Sequence, residues 1–238
     1  MNTRALVLQH PFFPYSRISQ VPVLEIKTKL IEVFRKWGLP NRIRVDNGQP
    51  FGDPQRISVP VMALWLKGHQ VETIWNRPAR PTDNACVERM QGTTSRWAEV
   101  RQARSLEKLQ LQLEQVITFQ REHYPVERLS GQTRLEAYPT LNKQRHSYDQ
   151  EHFDAQKAYA YLANVQFVRK VSANGRITVY EHGYQVGKKW SHQKVLVHLD
   201  RLTREWIISD AQGELIRTQQ AKQLTPDDIR NLSISRRT

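Results

Sequence analysis

The chain has 238 residues, of which 39% are hydrophobic and 25% are charged, and these values are typical of a folded globular protein. A chain of this length can form one large domain or two modest ones. The single cysteine, Cys86, excludes an internal disulfide and leaves no thiolate pair for a structural zinc site. No apolar run approaches the roughly 18 residues of a membrane-spanning helix, and the N-terminus lacks the features of a secretory signal. We therefore expect a cytoplasmic protein with no membrane partner.

The charge of the chain is strongly positive. Lysines and arginines number 36 against 23 acidic residues, which gives a formal net charge of +13 and an isoelectric point near 10.1. A field of this sign attracts polyanions, and the release of counterions from phosphates makes such binding depend on salt. A basic surface that is merely solvated is the alternative, so charge alone identifies no partner.

Strands and helices alternate in the first half of the chain. Residues 6–13 are typical of an extended segment, and apolar residues that recur at helical spacing predict a helix over 23–37 that ends at Gly38. Ile43 and Val45 alternate with arginines, which predicts a short strand leading to Asp46. The further elements that we expect are a helix over 59–67, a strand over 71–75, a helix that begins at Thr82 or Asp83 and carries Glu88, and a helix over 106–124 after a Ser105 cap.

The second half of the chain is rich in short strands. Residues 139–152 are polar and indicate a linker, which a short helix near 154–162 follows. Residues 166–171 and 177–180 flank Asn174-Gly175, a dipeptide that predicts a hairpin between them. Further strands are expected over 194–199, 205–209 and 214–217, and together these runs predict a small antiparallel barrel. A terminal helix is expected after a Thr225 cap with Pro226 at its first position.

Two acidic residues occupy positions where chemistry is expected. Asp46 follows a strand, so its carboxylate should lie at the carboxyl edge of a sheet, where ligands of α/β proteins collect. Glu88 lies on the helix after the next strand and could face the same edge. Two carboxylates placed in this way can bind Mg²⁺ for phosphoryl transfer. The alternatives are an ordinary turn residue for Asp46 and a solvated helix ion pair for Glu88 beside Arg89.

The neighbours of these acids carry a family resemblance. The run FRKWGLPNRIRVDNGQPF, residues 34–51, resembles the second-aspartate region of bacterial insertion-sequence transposases and retroviral-type integrases, which are DDE enzymes. The run NRPARPTDNACVER, residues 76–89, resembles the glutamate region of the same proteins. The order and spacing of the two runs also fit, and the resemblance extends over most of the chain.

The resemblance implies an α/β RNase H-like core, dependence on Mg²⁺ or Mn²⁺, strand transfer of DNA ends and a multimeric working complex. By position, Asp46 and Glu88 would be the second and third metal-binding carboxylates. In this family the glutamate helix also contacts DNA, so Arg89, Gln91, Ser95 and Arg96 become candidates for DNA binding. A solvated helix face is the alternative for Arg96.

The first aspartate of the family has no counterpart in the opening residues, because residues 1–24 contain neither Asp nor Glu. Residues 6–13 best match the third strand of the family core. We therefore expect a core that lacks its first two strands, which would leave the strand before Asp46 unpaired on one side. The expected domains are a partial catalytic core with a helical extension over 1–138, a linker and short helix over 139–163, a small SH3-like barrel over 164–222, and a terminal helix and tail over 223–238.

The predicted barrel has its own basic cluster. Its members are Arg169, Lys170, Arg176, Lys188 and Lys189, with Trp190 and Tyr184 nearby in the sequence. Lysines and arginines of this kind contact the DNA backbone with little sequence preference. The alternative is a solvated surface with Trp190 in the core.

Three hypotheses follow from the sequence. The first is a transposase or integrase relative that acts in DNA integration and binds DNA, associated with the bacterial nucleoid, in which metal-dependent strand transfer is impaired. The second is an active enzyme whose first aspartate comes from an upstream segment or another polypeptide. The third is a DNA-binding or oligomerising regulator, whose partner is a second copy or a full-length transposase.

Overall fold

Helices alternate with parallel strands in the first half of the protein, and antiparallel strands dominate the second half. The structure is a computed structural model that describes residues 5–6, 22–53, 58–77, 80–83, 85–139 and 147–234. The elements of the first half are β1 (Ala5–Leu6), α1 (Val23–Trp37), β2 (Arg42–Val45), α2 (Val61–Gly68), β3 (Glu72–Trp75), α3 (Ala85–Trp97), α4 (Leu106–Glu122) and α5 (Arg134–Ala137). The elements of the second half are α6 (Ala155–Ala163), β4 (Phe167–Lys170), β5 (Arg176–Val179), β6 (His182–Gln185), β7 (Lys194–Asp200), β8 (Glu205–Ser209), β9 (Leu215–Gln220) and α7 (Pro226–Asn231).

Several helix ends lie where the sequence predicts them. Helix α1 spans the predicted residues, and Gly38 ends it with a φ of 77°, a conformation that glycine adopts without strain. The Ser105 side chain caps α4 by accepting a hydrogen bond from the Lys108 backbone N–H. Thr225 caps α7 in the same way, with Pro226 in the first turn. Each of these ends depends on residues that are adjacent in sequence.

Strand β2 is the centre of a three-stranded parallel sheet with the order β1-β2-β3. The sequence interpretation left the position beside β2 empty and assigned residues 6–13 to a different strand. The structure corrects this, because Ala5 pairs with Arg42 and Leu6 with Ile43. In the sequence, residues 5–8 form an apolar run, a pattern typical of strands in parallel sheets. Residues 7–13 lie outside the described part of the chain.

The predicted hairpin across Asn174-Gly175 is wrong. A turn is present, since the Gly175 N–H donates to the Ser172 carbonyl at 2.9 Å, but β4 pairs with β7 and β5 pairs with β6. The β4–β7 ladder extends past the strands through Val171, whose N–H donates to the Gln193 carbonyl at 2.9 Å. After the turn the chain diverges from β4, and β5 forms its hairpin with β6 instead.

The described antiparallel strands form two sheets rather than the predicted small SH3-like barrel. Among the described residues, β4, β7, β8 and β9 form one sheet in the order β4-β7-β8-β9, and β5 and β6 form a separate pair. Side chains bridge β9 and β6 in place of a backbone ladder, with Gln219 Nε2 and Arg217 Nη1 lying 2.6 and 3.5 Å from the Gln185 carbonyl oxygen. The apolar sides of both sheets, including Ile177 and Val197, lie in the same core.

This core is shared by the two halves of the protein. Helix α2 is buried almost completely, and Trp65 at its centre stacks on Phe34 of α1 with 6.1 Å between ring centroids. The buried Tyr180 hydroxyl, at the end of β5, donates to the Val59 carbonyl at 2.9 Å. Tyr159 of α6 donates to the Leu224 carbonyl at 2.7 Å, so a segment from the predicted linker and short helix (139–163) lies in the core.

A second, smaller core holds α3 against α4. Its buried members are Ala98, Leu109 and Leu113. Thr94 of α3 is also buried here, and its hydroxyl lies 3.1 Å from Gln120 Oε1. We call residues 85–138 the helical unit. Its side chains thus pack mainly against one another.

His69 is a buried histidine at the end of α2. It is 4% exposed, and neither of its ring nitrogens has a hydrogen-bond partner in the described structure. Its ring packs against Trp65, Tyr148 and Phe153 at centroid distances of 5.0, 5.0 and 5.3 Å. Burial, followed by the positive charges of Lys27 and Arg230, lowers the pKa of His69 from 6.5 to about 4. The imidazole is therefore neutral at pH 7.

The sign of the His69 effect on stability follows from this shift. The unfolded chain binds the proton near pH 6.5 and the folded chain binds it only near pH 4. Stability should be unaffected above pH 6.5 and should fall as the pH falls from 6.5 to 4, by about 3 kcal/mol in total.

We expect His69→Phe to remove this part of the pH dependence, because the ring fits the aromatic surroundings and cannot be protonated. Urea unfolding measured between pH 7 and pH 4 tests the expectation. His152→Gln is the matched control, since the His152 side chain is 81% exposed, and it should keep the wild-type pH dependence. Equal slopes for wild type and His69→Phe would contradict the buried, neutral histidine.

Candidate functional site

Asp46 lies directly after β2, at the carboxyl end of the parallel sheet. Asp46 is exposed, and its Oδ1 accepts a hydrogen bond from the Gly48 N–H at 3.1 Å. This bond closes a tight turn, as the Asp-Asn-Gly sequence predicts. The carboxylate therefore stands at the sheet edge with its second oxygen available for other interactions.

Contacts from β3 fix the loop that follows Asp46. The Asn47 side-chain amide donates to the Asn76 carbonyl at 3.0 Å, and the Asn76 N–H donates to the Val45 carbonyl at the same distance. Trp75 Nε1 donates to the Phe51 carbonyl at 2.8 Å. The loop is also too tight for a side chain at Gly52, where a Cβ would lie 2.2 Å from the Asn47 carbonyl oxygen.

An ion pair holds the segment between β3 and α3. Arg77 Nη2 lies 2.7 Å from Asp83 Oδ1, and the Arg77 backbone N–H donates to Asp83 Oδ2 at 2.9 Å. These bonds from Arg77 hold the pKa of Asp83 well below its usual range. The Asp83 carboxylate is therefore bound by Arg77 and is not available as a metal ligand.

The candidate residues on α3 are all exposed. At about 100° per residue, Glu88, Gln91 and Ser95 lie within about 60° of one another around the helix. Arg89 and Arg96 lie about 90° from Glu88 around the same helix, on the side away from Gln91. The buried Thr94 faces α4 instead. Glu88 is thus the α3 candidate that lies next to the two cations, and the Gln91 amide lies on the other side of Glu88 from them.

The carboxylates of this region do not form a complete metal site. Among the described residues, no group of three or more His, Cys, Asp or Glu side chains could hold a metal ion. Mg²⁺ and Mn²⁺ prefer several oxygen ligands, and Asp46 and Glu88 supply only two carboxylates. The donor set therefore does not fit the metal pair that the resemblance implies.

Basic residues gather at one end of the antiparallel sheets. Lys170 of β4 lies directly opposite Lys194 of β7. The turn at Gly175 packs on the turn that carries Lys188 and Lys189, so closely that a Cβ at residue 175 would lie 2.6 Å from the Lys188 backbone nitrogen. Lys170, Lys188, Lys189 and Lys194 are exposed, and we call these four lysines the cationic end.

The two predicted arginines differ from these lysines. Arg169 is half-buried, and its Nε donates to the Thr178 carbonyl at 3.0 Å, which links β4 to β5. Arg176 is exposed, with its Nη2 3.4 Å from the Gly183 carbonyl oxygen. Both arginine side chains contact backbone carbonyls within the sheets. Arg169 is the more buried of the two and has the shorter hydrogen bond, so its role is mainly structural.

The aromatic residues near this cluster have structural contacts. Trp190 packs partly against the core with the Lys189 ammonium 5.3 Å from its ring centroid. Tyr184 is buried and donates its hydroxyl proton to Gln223 Oε1.

Sequence reasoning missed Lys194 as a member of the cluster. Its place opposite Lys170 depends on the β4–β7 pairing, whereas the sequence indicated that β4 pairs with β5. The sequence feature that could have indicated its membership is the position of Lys194 at the start of the predicted 194–199 strand.

The comparison with protein-family models yields no match. Among the described helices, none is long and apolar enough to cross a membrane.

Proposed function

We propose that this chain is a DNA-binding protein of the DDE transposase and integrase type, in which strand transfer is impaired. The main observation in favour of DNA binding is the cationic end. Lys170 and Lys194 are like charges placed directly opposite each other, an arrangement that destabilises a sheet. A phosphate backbone would relieve this repulsion, which favours a polyanion as the partner.

The surroundings of the cationic end also favour this partner. None of the four lysines forms an ion pair with another described residue. Lys188 and Lys189 lie on the neighbouring turn, so the four charges form one surface rather than isolated points. Contacts of this kind go to phosphates and carry little sequence information.

The proposed relation to DDE transposases and integrases rests on the two motif runs and on their positions in the chain. Asp46 follows a central parallel strand, and Glu88 lies on the helix after the next strand. This order supports an RNase H-like origin for the parallel sheet. Because two carboxylates are a poor donor set for a metal pair, we assign no metal-dependent step to the described residues.

A second function is a regulator that joins a full-length transposase in a mixed complex. The observation that favours it is the exposed apolar surface of the helical unit, where Trp97 and Phe119 are 38% and 47% exposed. This role needs DNA affinity and a protein interface but no complete active site.

We expect the purified chain to bind duplex DNA of unrelated sequences with an affinity that falls steeply as salt rises. The double variant Lys188→Ala/Lys189→Ala should bind more weakly and reduce the magnitude of the log K against log salt slope by about 2, because two phosphate contacts are lost. Mobility shifts over a salt series measure both effects.

The matched control for this experiment is Arg104→Ala/Lys108→Ala, which removes the same charge from exposed positions of the helical unit. Its slope should equal that of the wild type. Binding that is absent, or that does not respond to salt, would refute the proposed phosphate contacts.

We further expect no strand joining above background from the purified chain with either Mg²⁺ or Mn²⁺. Glu88→Gln should then behave as the wild type in an assay that joins labelled duplex ends to a target, with a complete DDE transposase as the positive control. Robust joining that Glu88→Gln abolishes and Glu99→Gln leaves intact would show that the catalytic site is complete.

A further inference from the structure

The C-terminal ends of α1 and α4 meet at the Trp37 ring. The guanidinium carbon of Arg121, from the last turn of α4, lies 4.7 Å from the centroid of this ring, and the Lys36 ammonium nitrogen lies 5.5 Å from it. Both distances are within the roughly 6 Å over which an aromatic face attracts a cation, and tryptophan attracts cations most strongly. The contact therefore joins the helical unit to α1.

The Arg121 side chain is largely removed from water. It is 21% exposed, and Glu122 of the same helix forms an ion pair with it. The attraction between a cation and an aromatic ring is stronger when the cation is desolvated. Hydrogen bonding from Arg121 lowers the pKa of Glu122, and the positive charge of Lys36 on α1 contributes to the lowering. Glu122 is thus attracted to cations of both helices.

Packing of the helical unit on other described elements is limited. Among these elements, α3 and α4 pack extensively on each other, on α5 and on the helical turns that adjoin α3 in the chain. The buried core of the unit is also separate from the core that holds α1, α2 and the antiparallel sheets. The Trp37 contact therefore has a large share in fixing how the unit is oriented.

The Trp37 contact lies at a distance from the place where the chain enters the helical unit. The chain enters after β3, which pairs with the central strand β2. The Thr94 hydroxyl, about 14 Å along α3 from the start of the helix, contacts Gln120, the neighbour of Arg121. Two points of attachment separated in this way determine the direction of α3, whereas the entry alone would let the helix turn.

We propose that Trp37 is a positioning residue: docking of Arg121 on its ring sets the orientation of the helical unit, and the unit swings about the segment after β3 when the two separate. Glu88 lies on α3, so the contact also sets how far Glu88 stands from Asp46 at the sheet edge. This inference goes beyond the proposed function and does not require DNA binding.

The distance between two spin labels, measured in the full chain without DNA, tests the proposal. One label is attached at Ser95→Cys on α3 and the other at Leu202→Cys, which is 82% exposed in the turn between β7 and β8, with Cys86→Ser to remove the native thiol. We expect one narrow distribution of distances. Arg121→Gln should raise the population of other distances by roughly fivefold to thirtyfold, the equilibrium effect of losing an attraction of this strength.

Trp37→Leu is the second variant, because it removes the ring and leaves the helical unit unchanged. Leucine is a good helix former, so α1 should remain folded, and the distribution should broaden as it does for Arg121→Gln. Hydrogen exchange of α4 amides such as Leu113 should equal that of the wild type, which distinguishes a swinging unit from an unfolded one.

Arg101→Gln is the matched control, since it removes one positive charge from an exposed position of the helical unit. It should leave the distance distribution unchanged. A broadening that Arg101→Gln reproduces would assign the effect to net charge and would overturn the proposal.

Distances that Trp37→Leu and Arg121→Gln both leave unchanged would also overturn it, as would a broad distribution in the chain that keeps both residues. Loss of α4 protection in Trp37→Leu would show that the contact holds the unit folded rather than oriented, with the same consequence. Because the measurement contains no DNA, each result is independent of the salt-dependent binding proposed for the cationic end.

Discussion

Burial of helix α2 is the constraint on which the rest of the structure depends. Its residues Met62 to Leu66 are at most 1% exposed, so the helix must be covered on every side. Strand β3 and Phe34 of α1 cover part of it, and α6 and α7 pack on other parts of its surface. Gly68 shows how close this packing is, because a Cβ there would lie 2.1 Å from the Phe153 ring.

This constraint joins the two candidate sites into one body. The strand that ends at Asp46 packs on one side of the core, and the strands that carry the cationic end pack on another. Tyr180, directly after β5, connects the antiparallel half to the segment before α2 through its bond to the Val59 carbonyl. Separate domains on a flexible linker could change the distance between such sites, whereas a shared core holds it constant. The helical unit packs around its own small core and is less closely tied to this body.

Local features of the structure could be predicted from the sequence. The end of α1 at Gly38 and the caps at Ser105 and Thr225 depend on the residue itself and its immediate neighbours. The place of Asp46 at the end of a strand was predictable for the same reason. Glu88 was correctly placed on a helix, since Ala85–Trp97 has helical spacing of its own.

Features that depend on distant pairing could not be predicted. Strand β6 follows a two-residue turn at Tyr180 and Glu181, which adopt φ values of 48° and 65°. Turns of this kind usually contain asparagine or glycine, so the sequence showed no hairpin there and indicated one at Asn174-Gly175 instead. Lys194 was missed as a consequence.

The shared core was hidden for a related reason. Residues 147–153 are mostly polar, and the burial of Tyr148 and Phe153 depends on the rings that they meet across the fold. Composition alone indicated a linker there. Of the three rings that pack against His69, Trp65 lies four residues earlier in the sequence, whereas Tyr148 and Phe153 come from a distant segment that the sequence near His69 does not indicate.

Native-state hydrogen exchange tests the shared core most directly. The slowest amides of α2, such as Leu66, and those of the β7–β8 ladder, such as Val197 and Ile208, should exchange with the same free energy of opening, because both regions lose their cover in one cooperative step. The helical unit is free to open earlier. Exchange of the β7–β8 amides through a separate unfolding step, with α2 still protected, would contradict a single core.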